Sequence, residues 1–184
     1  MNTREQIIRI ADNLIREKGY NAFSFYDISK KVGIKTASIH YHFPLKSDLG
    51  VAVIEQHIDN LSTIIEKYKS KSPTDRLDKF FSIYVAIKNE NKVCLVGSLA
   101  SDLNTLDEQV QIKLKTFTEL MFNWVCTFLD EGRNSKAFTY EGSPRTKSVM
   151  IISNLLALLQ LSRLSYDQEF KSVIDTIKLE LITK

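Results

Sequence analysis

Residues 24–44 of the chain read SFYDISKKVGIKTASIHYHFP, and they contain the clearest structural signals in the sequence. Ser24 and Asp27 have the spacing of a capping box, which predicts a short helix that begins after Ser24 and continues to about Val32. Gly33 follows at the position where a helix end favours a residue that tolerates a positive φ. The segment therefore begins with a predicted short helix and a tight turn.

A second short helix is predicted directly after this turn. It begins at Thr36 and ends at about His42, because Pro44 disfavours the α conformation in the residue before it. Two short helices joined by a tight turn are typical of the helix-turn-helix motif, whose second helix enters the major groove of DNA. The apolar residues that such a pair would bury are Ile28, Val32, Ile34 and Ile39.

One further helix is predicted before this pair. Thr3 and Gln6 have capping-box spacing, and apolar residues then recur at helical spacing as far as Ile15. Gly19 stands where this helix is expected to end. We therefore expect residues 1–46 to form a three-helix DNA-binding domain of the helix-turn-helix type.

The rest of the chain predicts longer helices. They cover about residues 47–69, 74–89, 95–103, 107–130, 146–166 and 168–183, and a loop covers residues 131–145. With six glycines and three prolines in 184 residues, the chain lacks the frequent turns of a many-stranded β protein. The expected fold is all-α with about nine helices, in which residues 47–184 form a second, helical domain.

Composition narrows the classes of function. Residues 1–50 contain eight Lys and Arg and five acidic residues, so they account for the whole net charge of +3 and favour a negatively charged partner. No segment reaches the ~18 uncharged apolar residues of a membrane span, and the N-terminus lacks the apolar core of a signal peptide. Cys94 and Cys126 suggest no disulfide framework. We therefore expect a cytoplasmic protein without a membrane partner.

Residues 3–50 resemble the DNA-binding domain of the TetR family of bacterial transcriptional regulators. Residues 27–34 match the second helix and turn of that family, and residues 35–44 match its recognition helix and the exit from it. Lys46, Asp48 and Leu49 match the start of its fourth helix. The resemblance implies that residues 47–184 form a helical domain that binds a small molecule and dimerises.

The side chains around the turn have the chemistry that DNA binding needs. Cations and hydrogen-bond donors contact phosphates, and the candidates here are Ser24, Lys35, His40, Tyr41 and Lys46. Short side chains at the front of the recognition helix contact bases, and these are Thr36, Ala37 and Ser38. The alternative interpretation is that Thr36 and Ser38 only cap the helix and interact with water.

Large apolar and aromatic residues are frequent in the predicted helices between residues 74 and 130. Most belong to the core, but the resemblance implies that some line a small-molecule pocket, for which we select Tyr84, Phe117, Met121 and Trp124. The shortage of charges on these helix faces indicates an apolar or aromatic effector. The resemblance further implies that the last two helices pair with those of a second copy, which gives a homodimer that reads a near-palindromic operator.

These features predict a ligand-responsive, sequence-specific transcriptional regulator, namely a repressor that leaves its operator when the effector binds. Cys94 offers an alternative, because the resemblance implies that a cysteine near this position senses electrophiles in some branches of the family. The competing interpretation is that Cys94 is a small buried hydrophobic residue with a packing role only. A small helical enzyme is a further alternative. However, the sequence contains no GxGxxG, P-loop, HExxH or GxSxG motif, so neither catalysis nor a cofactor is expected. His40 and His42 do not face each other on a helix, which argues against a metal site.

Overall fold

The computed structural model describes residues 2–164 and 167–182. Within these ranges the chain forms nine α-helices, two short 3-10 helices and no strand, so the prediction of an all-α fold is confirmed. The α-helices are α1 (Thr3–Lys18), α2 (Phe25–Val32), α3 (Thr36–His42), α4 (Lys46–Tyr68), α5 (Pro73–Asn89), α6 (Leu95–Ser101), α7 (Glu108–Asn134), α8 (Pro144–Ser162) and α9 (Asp167–Ile182). The 3-10 helices are Tyr20–Ala22 and Leu103–Thr105.

Helix caps explain where the first helices begin and end. The N-cap of α1 is Asn2, which forms a capping box with Glu5, so the predicted box of Thr3 and Gln6 is wrong by one residue. The box of Ser24 and Asp27 is present at α2 as predicted. Gly33 ends α2 in the left-handed conformation with a φ of 79°, which glycine adopts without strain.

The later helices differ from the predicted ones mainly at their ends. Helix α7 continues to Asn134, so residues 131–134 are helical and the predicted loop over 131–145 is shorter than expected. It passes through Gly132, over which the ring of Phe138 packs. Helix α8 begins at Pro144, with Ser143 as its N-cap. The ends predicted at Tyr166 and Thr183 lie outside the described residues.

The residue contacts divide the chain into two compact units. The first unit comprises the described residues up to 60 together with residues 95–118, and the second comprises residues 61–94 and the described residues from 119 onward. Helices α4 and α7 therefore each contribute residues to both units. This grouping adds α6 to the helix-turn-helix, and the functional division at residue 46 stays a prediction.

Each unit has its own apolar core. In the first, Ile7 and Ile28 are fully buried, as is Ile39 of α3, whereas Val32 and Ile34 are half-buried. In the second, the largest fully buried side chains are Phe80, Phe81, Phe128 and Phe138. Helix α8 packs against both α5 and α9. Within the described ranges, no helix combines the length and the apolar character that a membrane crossing requires.

Candidate nucleic-acid interface

The second helix of the helix-turn-helix, α3, buries one side and exposes the other. Ile39 is fully buried and anchors α3 to the core of the first unit. Ala37, Ser38 and His40 are exposed, and Tyr41 is 84% exposed, which is unusual for so large an aromatic side chain. Four of the five predicted DNA-contacting residues of α3 are therefore exposed to solvent.

Thr36 is half-buried and links the two helices of the motif. Its hydroxyl donates to Oγ of Ser29 at 3.3 Å, and the Ser29 hydroxyl donates to the backbone carbonyl of Tyr26 at 2.8 Å. The N-cap of α3 is Lys35, whose side chain makes no capping hydrogen bond. Thr36 therefore does not cap α3. Its hydroxyl is instead hydrogen-bonded to Ser29 of α2.

The start of α2 presents Ser24 to solvent. The Ser24 hydroxyl donates to Oδ2 of Asp27 at 2.7 Å, and the backbone N–H of Asp27 donates to the Ser24 oxygen at 3.4 Å. The hydrogen bonds from Ser24 lower the pKa of the Asp27 carboxyl, which stays ionised at the positive end of the helix dipole. Ser24 is therefore an exposed cap whose hydroxyl hydrogen is directed to Asp27.

Two exposed residues of α2 were not selected from the sequence. Tyr26 is 57% exposed, and the ammonium of Lys30 lies 4.4 Å from the centre of its ring. This cation–π contact orders both side chains on the surface of α2. The sequence signal for this pair was a Tyr followed four residues later by a Lys in one short predicted helix. Residues at that spacing lie on the same face of a helix and can contact each other.

His40 is exposed but already has partners. Its Nδ1 lies 3.3 Å from the carbonyl oxygen of Pro44, and its ring packs edge-on against Phe25 at 4.9 Å between centres. A carbonyl only accepts, so Nδ1 carries the hydrogen in this arrangement. The neutral imidazole then has no N–H left at Nε2, and donation from Nε2 to a phosphate requires the protonated ring.

Lys46 differs from the other predicted phosphate contacts because its ammonium is directed into the protein. Its Nζ donates to the backbone carbonyls of Tyr20 at 2.6 Å and of Phe23 at 2.5 Å. It also lies 4.8 Å and 4.2 Å from the ring centres of the same two residues. Burial lowers the pKa of this lysine. A phosphate contact by Lys46 would require both carbonyl bonds to break.

The predicted pocket residues fall into both units. Phe117 belongs to the first unit, where its ring centre lies 5.7 Å from that of His57. Tyr84, Met121 and Trp124 come together in the second unit, where the buried Tyr84 hydroxyl donates to the Met121 sulfur at 3.6 Å. Burial raises the pKa of Tyr84 well above its usual value, so this hydroxyl is a donor and not an anion.

Trp124 has an unusual environment within that group. Its ring packs edge-on against Phe80 and Phe128, at 5.9 Å and 5.7 Å between centres. The side chain is 5% exposed, and its Nε1 has no hydrogen-bond partner among the described residues. A buried donor without an acceptor costs ~1–3 kcal/mol, so this N–H is a feature that requires explanation.

Cys94 lies directly before α6 and is buried. It is not in a disulfide. Reaction with an electrophile in solution requires an accessible thiolate, and burial limits access to the sulfur of Cys94. The surroundings of Cys94 therefore agree with a packing role, and the sensor function stays a prediction of the sequence alone.

Comparison with known proteins connects this geometry to a family. The model of the family described as bacterial regulatory proteins, tetR family, matches residues 7–53, which include the whole helix-turn-helix. The crystal structure of a TetR transcriptional regulator from Legionella pneumophila is 38% identical to the chain over 98% of both chains, with a TM-score of 0.88. The chain belongs to the TetR family.

Two further comparisons agree with this assignment. A TetR-family transcriptional regulator from Agrobacterium tumefaciens is 25% identical, covers 98% of this chain and 97% of its own, and has a TM-score of 0.90. The biofilm operon icaADBC HTH-type negative transcriptional regulator IcaR of Staphylococcus aureus is 26% identical over 132 residues, which are 71% of each chain. The chain is therefore a DNA-binding transcriptional regulator of the TetR family, a family whose members are not enzymes.

Proposed function

We propose that this TetR-family protein is a repressor that binds its operator as a homodimer and leaves it when a small apolar or aromatic effector binds. The observation that carries the proposal is α3, which buries Ile39 and presents a short-chain polar surface beside the exposed Lys35. The name of the relative IcaR, a negative transcriptional regulator, supports repression as the direction of the effect. Since its partner is bacterial DNA, we place the protein in the cytoplasm.

Side-chain chemistry separates the residues that contact phosphates from those that contact bases. Phosphate contacts fix the orientation of the protein without reading sequence, and the exposed Lys35 and Tyr41 supply them. Ser24 contributes when its hydroxyl turns away from Asp27, and His40 contributes in its protonated form. Ala37 and Ser38 are short and exposed, so they approach the base edges, where the methyl of alanine contacts thymine and the hydroxyl of serine donates or accepts. Thr36 reads bases only through the part of its side chain that faces away from Ser29.

The exposed surface of α8 supports dimerisation through the last two helices. Met150, Leu161 and the following Leu164 are large apolar residues with 53%, 43% and 69% of their surface exposed. The intervening exposed residue Ala157 is at helical spacing with them, so they form a stripe along α8. Exposed apolar stripes of this kind are typical of interfaces. A twofold dimer would present two copies of α3 to successive major grooves of a near-palindromic site.

The group around Trp124 supports the proposed class of effector. Its surroundings are aromatic, and they contain two buried donors: the indole N–H, which has no acceptor among the described residues, and the Tyr84 hydroxyl, which has only a thioether. Sulfur is a weak acceptor. A small aromatic or apolar molecule that carries one acceptor oxygen would satisfy these donors. Its preference for one conformation would shift the population away from the DNA-binding form.

The first experiment measures DNA binding directly. Fluorescence anisotropy of the purified protein on duplex DNA from upstream of its own gene, scanned over salt with random DNA as competitor, tests sequence-specific binding. Tight binding that resists the competitor is expected. Should neither this DNA nor any duplex selected from random oligonucleotides bind in preference to the competitor, the proposed function is wrong.

The second experiment tests the effector site through Trp124→Phe, which keeps an aromatic ring and removes the N–H. Small aromatic compounds that carry an acceptor are screened for release of the wild-type protein from the selected DNA. The variant is expected to bind DNA as the wild type does but to need at least roughly tenfold more of an active compound, since one hydrogen bond to a buried group is lost. Tyr68→Phe, on α4, is the matched control. An unchanged response of the Trp124 variant would remove Trp124 from the effector site.

A further inference from the structure

The connection between α1 and α2 is held from two sides. On one side, the backbone N–H of Tyr20 donates to Oδ2 of Asp102 at 2.8 Å, and the amide of Asn21 donates to the hydroxyl of Thr105 at 2.7 Å. On the other side, Nζ of Lys46 donates to the carbonyls of Tyr20 and Phe23 at 2.6 Å and 2.5 Å. Residues 19–23, which we term the connecting segment, are thus fixed to the start of α4 and to the turn after α6.

The side chain of Tyr20 further limits the positions that this segment can adopt. Tyr20 is buried, and its ring lies so close to Gly50 of α4 that a Cβ there would come within 3.1 Å of the ring. Burial, assisted by the charges of Asp107 and Asp48, raises the pKa of its hydroxyl to about 12. Gly19 precedes it with a φ of 95°, a conformation that favours glycine. The connecting segment therefore has one well-defined arrangement.

The end of this segment determines where the DNA-binding helices begin. The carbonyl of Phe23, which Lys46 holds, belongs to the residue directly before Ser24, the N-cap of α2. Helix α2 is in turn joined to α3 through the hydroxyls of Ser29 and Thr36. A change in the position of the connecting segment would therefore change the direction in which α2 and α3 present their exposed residues.

We propose that Lys46 is a positioning residue, which supports DNA binding through the carbonyls of Tyr20 and Phe23 and not by contact with a phosphate. Two of its three ammonium hydrogens are directed to these carbonyls, and two aromatic rings cover it. Exchange of these partners for a phosphate would leave two carbonyls without their donor. Asp102 holds the same segment through the backbone N–H of Tyr20, so the two residues share one effect. The proposal rests on the proposed DNA-binding surface.

Salt dependence and sequence preference together distinguish positioning from phosphate contact. Loss of a phosphate contact weakens binding to every sequence and makes log K less dependent on log salt by about 0.9 for each contact. Loss of positioning leaves the electrostatic attraction intact but removes the fit to base edges, so only the preference for the operator falls. Simple unfolding of part of the sample would reduce binding to both kinds of DNA by the same factor.

The test uses Lys46→Met, which keeps most of the side-chain length, with Lys35→Met as the matched control for an exposed lysine. Both are measured by anisotropy, as full-length protein, on a duplex selected for wild-type binding and on a random duplex, from about 50 to 200 mM salt. For Lys46→Met, the ratio of the two affinities is expected to fall roughly tenfold or more, with an unchanged salt slope on the random duplex. For Lys35→Met, both affinities are expected to fall together with a shallower slope.

Asp102→Ala is the second variant, because an acidic side chain cannot contribute a phosphate contact. The same loss of sequence preference with an unchanged slope is expected, and circular dichroism confirms that each variant remains folded. A shallower slope for Lys46→Met on the random duplex would overturn the proposal, as would an unchanged affinity ratio in a folded variant. Failure of the wild type to prefer any duplex would instead contradict the proposed function, so the two failures are distinguishable.

Discussion

At the scale of single residues, the first unit contains a charged group that links two helices. The imidazole Nε2 of His57 on α4 lies 2.7 Å from Oδ1 of Asp12 on α1, and Arg16 approaches the other carboxylate oxygen at 3.3 Å. Burial of Asp12 acts to raise the pKa of its carboxyl, but the hydrogen bonds and charges of His57 and Arg16 outweigh it, so this pKa lies below 3.8. The ionised carboxylate is therefore favoured in the folded state.

This depressed pKa predicts how stability depends on pH. A group whose folded pKa is lowered stabilises the protein above its unfolded pKa of 3.8, and this stabilisation is lost as the pH falls through the folded value. We expect the difference in free energy of unfolding between wild type and Asp12→Asn to be largest near neutral pH and to shrink as acid is added. Urea unfolding at a series of pH values measures this difference.

A substitution of His57, the hydrogen-bond partner of Asp12, provides the control for this experiment. In His57→Leu the same carboxylate loses its hydrogen bond from Nε2, because leucine has no donor, so the further substitution of Asp12 should matter less than it does in the wild type. If Asp12→Asn instead cost the same at every pH in both backgrounds, the contact between Asp12 of α1 and His57 of α4 would contribute nothing to stability.

At the scale of helices, α7 passes through Gly132 where a sequence pattern predicts its end. A glycine inside a helix usually costs stability relative to alanine, by ~0.5–1 kcal/mol. Here the ring of Phe138 occupies the space that a Cβ would need, and Phe138 is fully buried. The glycine therefore allows the chain after α7 to fold back over the helix.

Gly132→Ala is accordingly expected to destabilise the protein, although alanine is the better helix former. The loss should be ~1–3 kcal/mol, because the new methyl group overpacks a filled site. Thermal or urea unfolding measures it. Combined with Phe138→Leu, which removes part of the ring, the alanine should cost much less. A stabilised Gly132→Ala variant would contradict the packing of Phe138 over this position.

The contrast between α3 and α7 shows what the sequence can predict. The ends of α2 and α3 depend on neighbours in sequence, such as Ser24, Gly33 and Pro44, so local rules located them to within a residue. The continuation of α7 depends on Phe138, which acts through a tertiary contact. The inward direction of Lys46 has the same origin, because its acceptors are carbonyls more than twenty residues earlier in the chain. The indole N–H of Trp124 lacks an acceptor among the described residues because of tertiary packing, which the sequence pattern does not predict.

At the scale of the whole molecule, the proposed dimer accounts for the apolar surface of α8. Leu161→Glu places a charge in the stripe formed by Met150, Ala157 and Leu164, where a twofold contact would bury it. The protein is expected to become monomeric and to lose most of its operator affinity, since one recognition helix then binds alone. Sedimentation measures the mass, and anisotropy measures the affinity.

Ile112→Glu is the matched control for this prediction. Ile112 is 59% exposed on α7 and belongs to the first unit, so a comparable apolar-to-acidic change is made in a residue outside α8 and α9. This variant should remain dimeric. A Leu161→Glu protein that keeps the mass of a dimer would show that the last two helices are not the interface.

The connecting segment is held mainly through its own main-chain atoms, namely the N–H of Tyr20 and the carbonyls of Tyr20 and Phe23. None of the exposed side chains of α3 takes part in these hydrogen bonds. If α3 binds DNA as proposed, the groups that position this helix and the side chains that read the bases can therefore change independently. On the proposed function, we expect exchange of Ala37 or Ser38 to change the preferred operator, while the hydrogen bonds that position α3 stay the same from one specificity to the next.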